Sequence, residues 1–122
     1  MSKKILIVDD AQFIRMSIAA ILEQEFDAIF YEAGTGIEAV AQYARHKPDL
    51  VIMDITMPDM DGVTAVKKIK EADPDANIIM CSSMGQQSFV VEAIQAGAKD
   101  FIVKPFKAAK VLSSVHQYLE TD

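Results

Sequence analysis

Several short apolar segments of this chain run directly into polar side chains that can take part in chemistry. These polar residues are, in chain order, Asp9 and Asp10, Asp54, Ser82 and Ser83, and Lys104, which precedes Pro105. If the fold brings them together, the three carboxylates repel one another unless a positive charge lies among them. Their ligand atoms are all oxygens, which suit a hard cation such as Mg²⁺ better than Zn²⁺. The residue types therefore predict a magnesium site.

Asp54 is the candidate nucleophile of such a site. Magnesium takes only one or two carboxylates and commonly binds phosphate oxygens as well, which predicts a phosphoryl substrate. An ionised aspartate attacks phosphorus to form an aspartyl phosphate, while a metal ion and an ammonium group such as that of Lys104 neutralise the phosphoryl oxygens. Asp54 suits this role because it stands alone after a central apolar segment.

Each of these residues also has a simpler explanation. Asp10 is a suitable N-cap for a first helix, and Asp54 suits a turn. Ser82 is a second possible cap, and Lys104 a surface lysine before a proline turn. Only the joint arrangement favours a chemical site.

The apolar segments predict buried strands of a parallel sheet, because four of the five are apolar at every position. They are Ile5–Val8, Leu50–Met53, Ile78–Cys81 and Phe101–Val103, with a more polar fifth, Ala28–Glu32, that suits a sheet edge. Five segments of helical periodicity alternate with them. This alternation predicts an α/β, flavodoxin-like, doubly wound five-stranded sheet in the order 2-1-3-4-5 with five helices. Ligands of such a sheet bind beyond the carboxyl ends of its strands.

Length and composition limit the class of protein. The chain has 122 residues, which suits one domain spanning residues 1–122 and a monomer. Eighteen acidic and 12 basic residues give a net charge of −6, which argues against nucleic acid as a partner. A single cysteine cannot form an internal disulfide, which favours the cytoplasm. The apolar runs are too short for a signal peptide or a membrane span.

Four stretches together resemble a response-regulator receiver domain, the phosphorylated module of two-component systems, and the resemblance covers essentially the whole chain. They are KILIVDD, which ends in Asp9 and Asp10; DLVIMDITMPDMDG, which contains Asp54; IIMCSSM, which contains Ser82; and AGAKDFIVKPF, which contains Phe101, Lys104 and Pro105. Within that family, the similarity is to the single-domain receivers of chemotaxis.

The resemblance implies a role for each site residue. Asp10 and Asp54 would bind Mg²⁺ directly, together with the backbone carbonyl of Thr56, while Asp9 would act largely through metal-bound water. Asp54 would be the phosphoacceptor. Lys104 would contact the phosphoryl oxygens.

The resemblance also implies a switch. On phosphorylation the Ser82 hydroxyl would bond to a phosphoryl oxygen and Phe101 would turn inward, which changes the face formed by the fourth helix, fifth strand and fifth helix. The bond between Lys104 and Pro105 would be cis. Thr56 and Met84 occupy positions that tune hydrolysis of the aspartyl phosphate in similar proteins.

The partners implied are a chemotaxis histidine kinase, the flagellar motor switch protein and an aspartyl-phosphate phosphatase. The chain would be a signalling switch that assists its own phosphorylation and dephosphorylation, not an enzyme with a separate substrate. No DNA-binding output domain is expected after the last helix, so output would come from protein binding. An intermediate of a multi-step phosphorelay would share every site residue and stays open as an alternative.

Two motifs suggest other classes of protein. Gly34–Ala39 (GTGIEA) matches a dinucleotide-binding fingerprint, although it follows the second strand and a helix-start turn explains it better. Asp59–Gly62 (DMDG) resembles the signature of aspartate-nucleophile phosphohydrolases, but Pro58 is incompatible with a central strand directly before it. Cys81 is expected to be a small core residue, not a nucleophile.

Overall fold

The computed structural model describes residues 2–119, in which five strands and five helices alternate. The strands are β1 (Lys3–Val8), β2 (Ala28–Ala33), β3 (Leu50–Met53), β4 (Ile78–Ser82) and β5 (Asp100–Val103). The helices are α1 (Gln12–Glu23), α2 (Gly36–His46), α3 (Gly62–Ala72), α4 (Gln87–Ala96) and α5 (Ala108–Leu119). Within these residues, no helix is long and apolar enough to cross a membrane.

All five strands pair in parallel in the order β2-β1-β3-β4-β5, which confirms the predicted flavodoxin-like topology. Four strands are longer than predicted because pairing with a neighbour, rather than hydrophobicity, decides where a strand ends. Lys3 pairs with Ala28, and Ser82 pairs with Val103. Ser82 is therefore the last residue of β4 and does not cap a helix.

Alternate residues of each strand point to opposite faces of the sheet and form two separate cores. Leu6 and Val8 join the core under α2, α3 and α4, whereas Ile5 and Ile7 join the core under α1 and α5. The expectation that both faces are covered is confirmed for β1, β3 and β4, which are buried along their apolar lengths. It is wrong for β5, an edge strand in which Val103 is 48% exposed.

Some helix ends follow local sequence rules and others do not. The N-cap of α2 is Thr35, whose side chain accepts the Glu38 N–H. The Glu38 carboxylate accepts the Gly34 N–H at 2.6 Å, one residue before the N-cap, an arrangement related to a capping box. Gly97 ends α4 at a φ of 121°, as expected for a glycine C-cap. The N-cap of α1 is Ala11, so Asp10 does not cap that helix.

Candidate functional site

Three carboxylates meet beyond the carboxyl ends of β1 and β3, which are neighbours in the sheet. Asp9 and Asp10 follow β1, Asp54 follows β3, and the Asp54 N–H donates to the Val8 carbonyl at 3.0 Å. Each side chain offers an oxygen within 4.8 Å of the others. Asp9 is 2% exposed and Asp54 is 6% exposed, whereas Asp10 faces solvent. The cluster is thus open to solvent through Asp10.

Lys104 extends from the end of β5 back to this cluster. Its Nζ donates to Asp9 Oδ2 at 2.5 Å and lies 3.6 Å from Asp54 Oδ2. Its backbone N–H donates to the Ser82 carbonyl at 2.9 Å, and its peptide bond to Pro105 is cis, as expected. The ammonium group therefore lies between two buried carboxylates and partly balances their charge.

The site perturbs the acidity of its own groups. Burial raises the pKa of Asp54 above its ordinary value of 3.8, Lys104 lowers it, and the charge of Asp9 raises it further. The Ile55 N–H, which donates to Asp54 Oδ1 at 2.8 Å, also lowers it. Burial lowers the pKa of Lys104, but the hydrogen bond to Asp9 and the negative charges nearby outweigh it and raise that pKa above 10.5. Lys104 and the carboxylates thus favour each other's charged forms, although burial still leaves the pKa of Asp54 raised.

The remaining predicted residues lie on β4 and β5 and in the loops that follow β3 and β4. Ser82 is buried, and its Oγ accepts the Met84 N–H at 3.1 Å. Phe101 and Met84 are half-buried and pack against the core under α2, α3 and α4. Thr56 is exposed in the loop between β3 and α3, and Ser83 is exposed after β4.

That β3–α3 loop is held at both ends by close backbone contacts that sequence reasoning missed. A Cβ on Gly62 would lie 1.9 Å from the Asp54 carbonyl oxygen, so only glycine allows α3 to start so near the candidate nucleophile. A Cβ on Gly36 would lie 2.2 Å from the Met60 carbonyl oxygen. The Asp59 carboxylate accepts the Gly36 N–H at 3.0 Å, which attaches the loop to the start of α2.

These contacts argue against both rival motifs. A dinucleotide phosphate would need free N–H groups at the start of α2, but the Gly36 N–H donates to the Asp59 carboxylate and the Glu38 N–H to the Thr35 hydroxyl. The Gly34 N–H, just before the helix, donates to the Glu38 carboxylate. Asp61 is the N-cap of α3, and its Oδ1 accepts the Thr64 N–H at 2.9 Å, so DMDG is a helix start. Cys81 is buried, and burial raises the pKa of its thiol to about 12, as expected of a core residue.

Arg15 of α1 is a further residue that the sequence did not single out. Its Nη1 donates to the Asp9 carbonyl oxygen at 2.6 Å, and its Nε pairs with Glu32 of β2 at 2.7 Å. No sequence motif signals such a contact because the acceptor is a backbone carbonyl. By contrast, the Thr35 N-cap of α2 has a sequence signal, because Thr35 and Glu38 stand three residues apart.

A parallel five-stranded sheet with buried acids and a lysine at its carboxyl edge is shared with a known protein family. The model of the response regulator receiver domain matches residues 5–116, and the chain belongs to that family. It is 59% identical over 119 residues to the chemotaxis protein CheY of Bacillus subtilis, which covers 98% of this chain and 99% of that protein. It is 52% identical to the chemotaxis protein CheY of Thermotoga maritima over 117 residues, and the aligned region covers 96% of this chain and 98% of that protein.

A solved structure shares the fold closely. The structure described as the CheX-CheY-BeF3-Mg+2 complex from Borrelia burgdorferi superposes with a TM-score of 0.90 at 39% identity, over 98% of this chain and 90% of that one. The chain is thus a CheY-like receiver domain of the two-component response regulators, a class of signalling switch.

Proposed function

We propose that this chain is a phospho-accepting response regulator of chemotaxis, in which Asp54 takes a phosphoryl group from the phosphohistidine of a sensor kinase in an Mg²⁺-dependent reaction. The observation that supports this most directly is the meeting of Asp54 with two further carboxylates and the Lys104 ammonium at the carboxyl edge of the sheet. The domain comprises residues 1–122.

The residues at this edge fit a magnesium ion. The donors are carboxylate oxygens within 4.8 Å of one another, and a buried Asp54 beside the charge of Asp9 has a raised pKa, so a cation there relieves repulsion. Asp10 and Asp54 would hold the ion with the Thr56 carbonyl, and Asp9 would act through bound water. When bound, the ion would supply positive charge to the phosphoryl oxygens during transfer.

The side chains of the chain account for the rest of the transfer. The Asp54 carboxylate attacks phosphorus, so an oxygen–phosphorus bond forms while the phosphorus–nitrogen bond to histidine breaks, and the leaving imidazole keeps the electron pair. The Ile55 N–H orients Asp54 through its Oδ1. The Lys104 ammonium group, which already lies close to Asp54, contacts the incoming phosphoryl oxygens and partly neutralises their negative charge. In dephosphorylation, water attacks phosphorus, the bond between phosphorus and the Asp54 oxygen breaks, and inorganic phosphate leaves while the Asp54 carboxylate is restored.

The signal leaves the site through Ser82 and Phe101. The Ser82 hydroxyl is buried and interacts with the Asp54 carboxylate in the free form; once phosphate is present, it would bond to a phosphoryl oxygen instead. Such a difference between two states is what a population shift requires. Phe101 follows inward and alters the α4–β5–α5 face, on which Val91 and Val103 are exposed. Phe101 lacks the hydroxyl of a tyrosine, so burial alone is the signal.

The partners proposed for that face and for the site are a chemotaxis histidine kinase, the flagellar motor switch protein and an aspartyl-phosphate phosphatase. The relatives named chemotaxis protein CheY and the complex whose description pairs CheX with CheY support this choice. We assign the protein to the cytoplasm as a monomer that assists its own phosphorylation and dephosphorylation and binds neither nucleic acid nor membrane.

The test is incubation of the full chain with a small acyl phosphate, with and without Mg²⁺. The expected result is a mass increase of one phosphoryl group on Asp54 that requires Mg²⁺ and is absent from Asp54→Asn. Asp49→Asn is the matched control, because Asp49 lies at the opposite end of β3. No increase in the wild-type chain, or an equal increase in Asp54→Asn, refutes the proposal.

A second experiment separates chemotaxis from the phosphorelay alternative. The phosphorylated chain is expected to bind a motor-switch peptide, and Asp54→Asn treated in the same way is not. Rapid onward transfer of the phosphoryl group to a histidine phosphotransfer protein, without peptide binding, would favour the relay instead.

The lifetime of the phosphorylated form depends on residues beside the site. Met84 is half-buried and offers no group to orient an attacking water, so it is expected to lengthen that lifetime. Loss of phosphate is therefore expected to be faster in Met84→Glu than in wild type, measured after removal of the phosphodonor. An unchanged rate would count against a role for Met84.

A further inference from the structure

Arg15, the fourth residue of α1, contacts the backbone that precedes its own helix. Its side chain is only 16% exposed, its Nη1 donates to the Asp9 carbonyl oxygen at 2.6 Å, and its Nε pairs with Glu32 at 2.7 Å. The guanidinium group is a rigid fork, so these two bonds fix each other's geometry. Arg15 thus ties α1, the edge strand β2 and the β1–α1 connection together at one point.

The backbone held by Arg15 is the one that carries two of the three acids. The Asp9 N–H donates to the Ala33 carbonyl at 3.1 Å, so Asp9 is fixed on its amide side by β2 and on its carbonyl side by Arg15. Because a peptide unit is planar, fixing the Asp9 carbonyl also sets the orientation of the Asp10 N–H in the same unit. The direction in which the Asp10 side chain leaves the backbone follows from this.

The two acids differ in how their carboxylates are held. Asp9 accepts the Ala11 N–H at 2.9 Å and the Lys104 ammonium. Asp10 is exposed, and among residues 2–119 no hydrogen bond or ion pair holds its carboxylate. Its position beside Asp54 therefore depends on its backbone, and that backbone is held by Arg15.

From these contacts we infer that Arg15 is a positioning residue for the metal site: through the Asp9 carbonyl it orients the Asp9–Asp10 segment so that Asp10 faces Asp54, with Glu32 keeping Arg15 in place. This inference rests on the proposed function, since it concerns Mg²⁺ binding at that site. It assigns to Arg15 an effect on metal affinity although it contacts no metal ligand atom.

If Arg15 acted on the site only through its charge, its removal would change Mg²⁺ affinity in the opposite direction to the loss of a positioning contact. A positive charge near a cation site repels the cation, so its removal tightens Mg²⁺ binding. Loss of a positioning contact weakens Mg²⁺ binding, because the carboxylates must then be ordered at the moment of binding. A role in folding alone lowers stability and leaves the Mg²⁺ affinity of the folded protein unchanged.

The experiment is a calorimetric titration of the full chain with Mg²⁺ at neutral pH, with urea unfolding measured in parallel. Arg15→Gln is expected to raise the Kd for Mg²⁺ about tenfold, in line with other residues that orient metal ligands. Arg15→Lys, which keeps the charge but has one ammonium for two acceptors, is expected to lie between Arg15→Gln and wild type. Arg45→Gln is the matched control, because Arg45 is exposed on α2 and its removal changes net charge equally.

A folded Arg15→Gln whose Kd is unchanged or lower than that of wild type overturns the inference. If Arg15→Gln does not fold, Glu32→Gln decides, because it removes the partner of Arg15 Nε and is expected to raise the Kd by a smaller factor. An unchanged Kd in that variant overturns the inference as well. If wild type itself binds no Mg²⁺ and is not phosphorylated, both the proposed function and this inference fail. If wild type binds Mg²⁺ and is phosphorylated but Arg15→Gln has the same Kd for Mg²⁺, only this inference fails.

Discussion

Replacement of Lys104 by Met keeps a similar apolar stem and removes the ammonium group that, within residues 2–119, pairs with the buried carboxylates of Asp9 and Asp54. The Nζ of Lys104 lies 2.5 Å from Asp9 Oδ2 and 3.6 Å from Asp54 Oδ2. In a buffer without divalent cations, Lys104→Met leaves both acids without a counter-charge. We expect a clear loss in the free energy of unfolding.

The size of the loss follows from these distances. At an effective dielectric constant of about 20, opposite charges 3.6 Å apart attract by about 5 kcal/mol. Part of this attraction is offset because a buried ammonium has lost water. Removing one partner of a buried ion pair typically costs about 3 kcal/mol, and we expect that value at neutral pH.

The assay is urea unfolding followed by circular dichroism. A loss of about 3 kcal/mol lowers the unfolding midpoint by about 1.5 M if the slope is about 2 kcal/mol per molar urea. The deficit is expected to be pH-dependent. Burial already raises the pKa of Asp54 above 3.8, and loss of Lys104 raises it further. A raised pKa means that the folded state binds the proton more tightly, so the deficit is largest at neutral pH and shrinks as the pH falls towards 3.8.

Two comparisons make this reasoning refutable. Lys107→Met removes the same charge from an exposed position nearby and is expected to change stability little. In an Asp54→Asn background, Lys104→Met is expected to cost less, because one of the two stranded charges is absent. If Lys104→Met costs no more than Lys107→Met, or costs the same in both backgrounds, the ion-pair reasoning is wrong.

Three further predictions follow from individual contacts. Asp54→Asn is expected to unfold at higher urea than wild type at neutral pH without Mg²⁺, with the gain lost towards pH 3.8, because ionisation of Asp54 opposes its burial; equal midpoints at neutral pH would contradict this. Gly62→Ala is expected to cost at least about 3 kcal/mol, since its Cβ would meet the Asp54 carbonyl, whereas Gly34→Ala, with 3.5 Å to its nearest neighbour, is expected to be mild; urea unfolding compares them. Cys81 is expected to react with a thiol reagent only as fast as the chain unfolds, because it is buried with a pKa of about 12; reaction at the rate of a free thiol would contradict this.

Sequence reasoning was most successful where a physical rule links residue type to position. Wholly apolar segments such as Leu50–Met53 predict strands covered on both faces, and helical periodicity between them predicts the parallel crossovers and hence the sheet order. In a parallel sheet the carboxyl ends of all strands lie at one edge. The meeting of Asp9, Asp10 and Asp54 therefore follows from their places after β1 and β3.

Sequence reasoning failed where pairing or burial depends on a neighbour. The polar Lys3 belongs to β1 and Ser82 to β4 because each pairs with an adjacent strand, which hydrophobicity does not reveal. Val103 looks like a core residue but is exposed because β5 is the sheet edge. These differences arise from the position of a strand in the sheet rather than from its own residues.

The sequence by itself thus determined the class of fold, the sheet edge at which the site residues lie, and the residue types available there. It could do so because hydrophobic periodicity and the order of elements along the chain are local properties of the sequence. Only the tertiary structure decided how that edge is held: by Lys104 between two carboxylates, by Gly62 against the Asp54 backbone, and by Arg15 on the Asp9 carbonyl. These contacts join residues distant in sequence, and two of the three act on backbone carbonyls. Every residue has a backbone carbonyl, so no pattern of side chains announces which one is used.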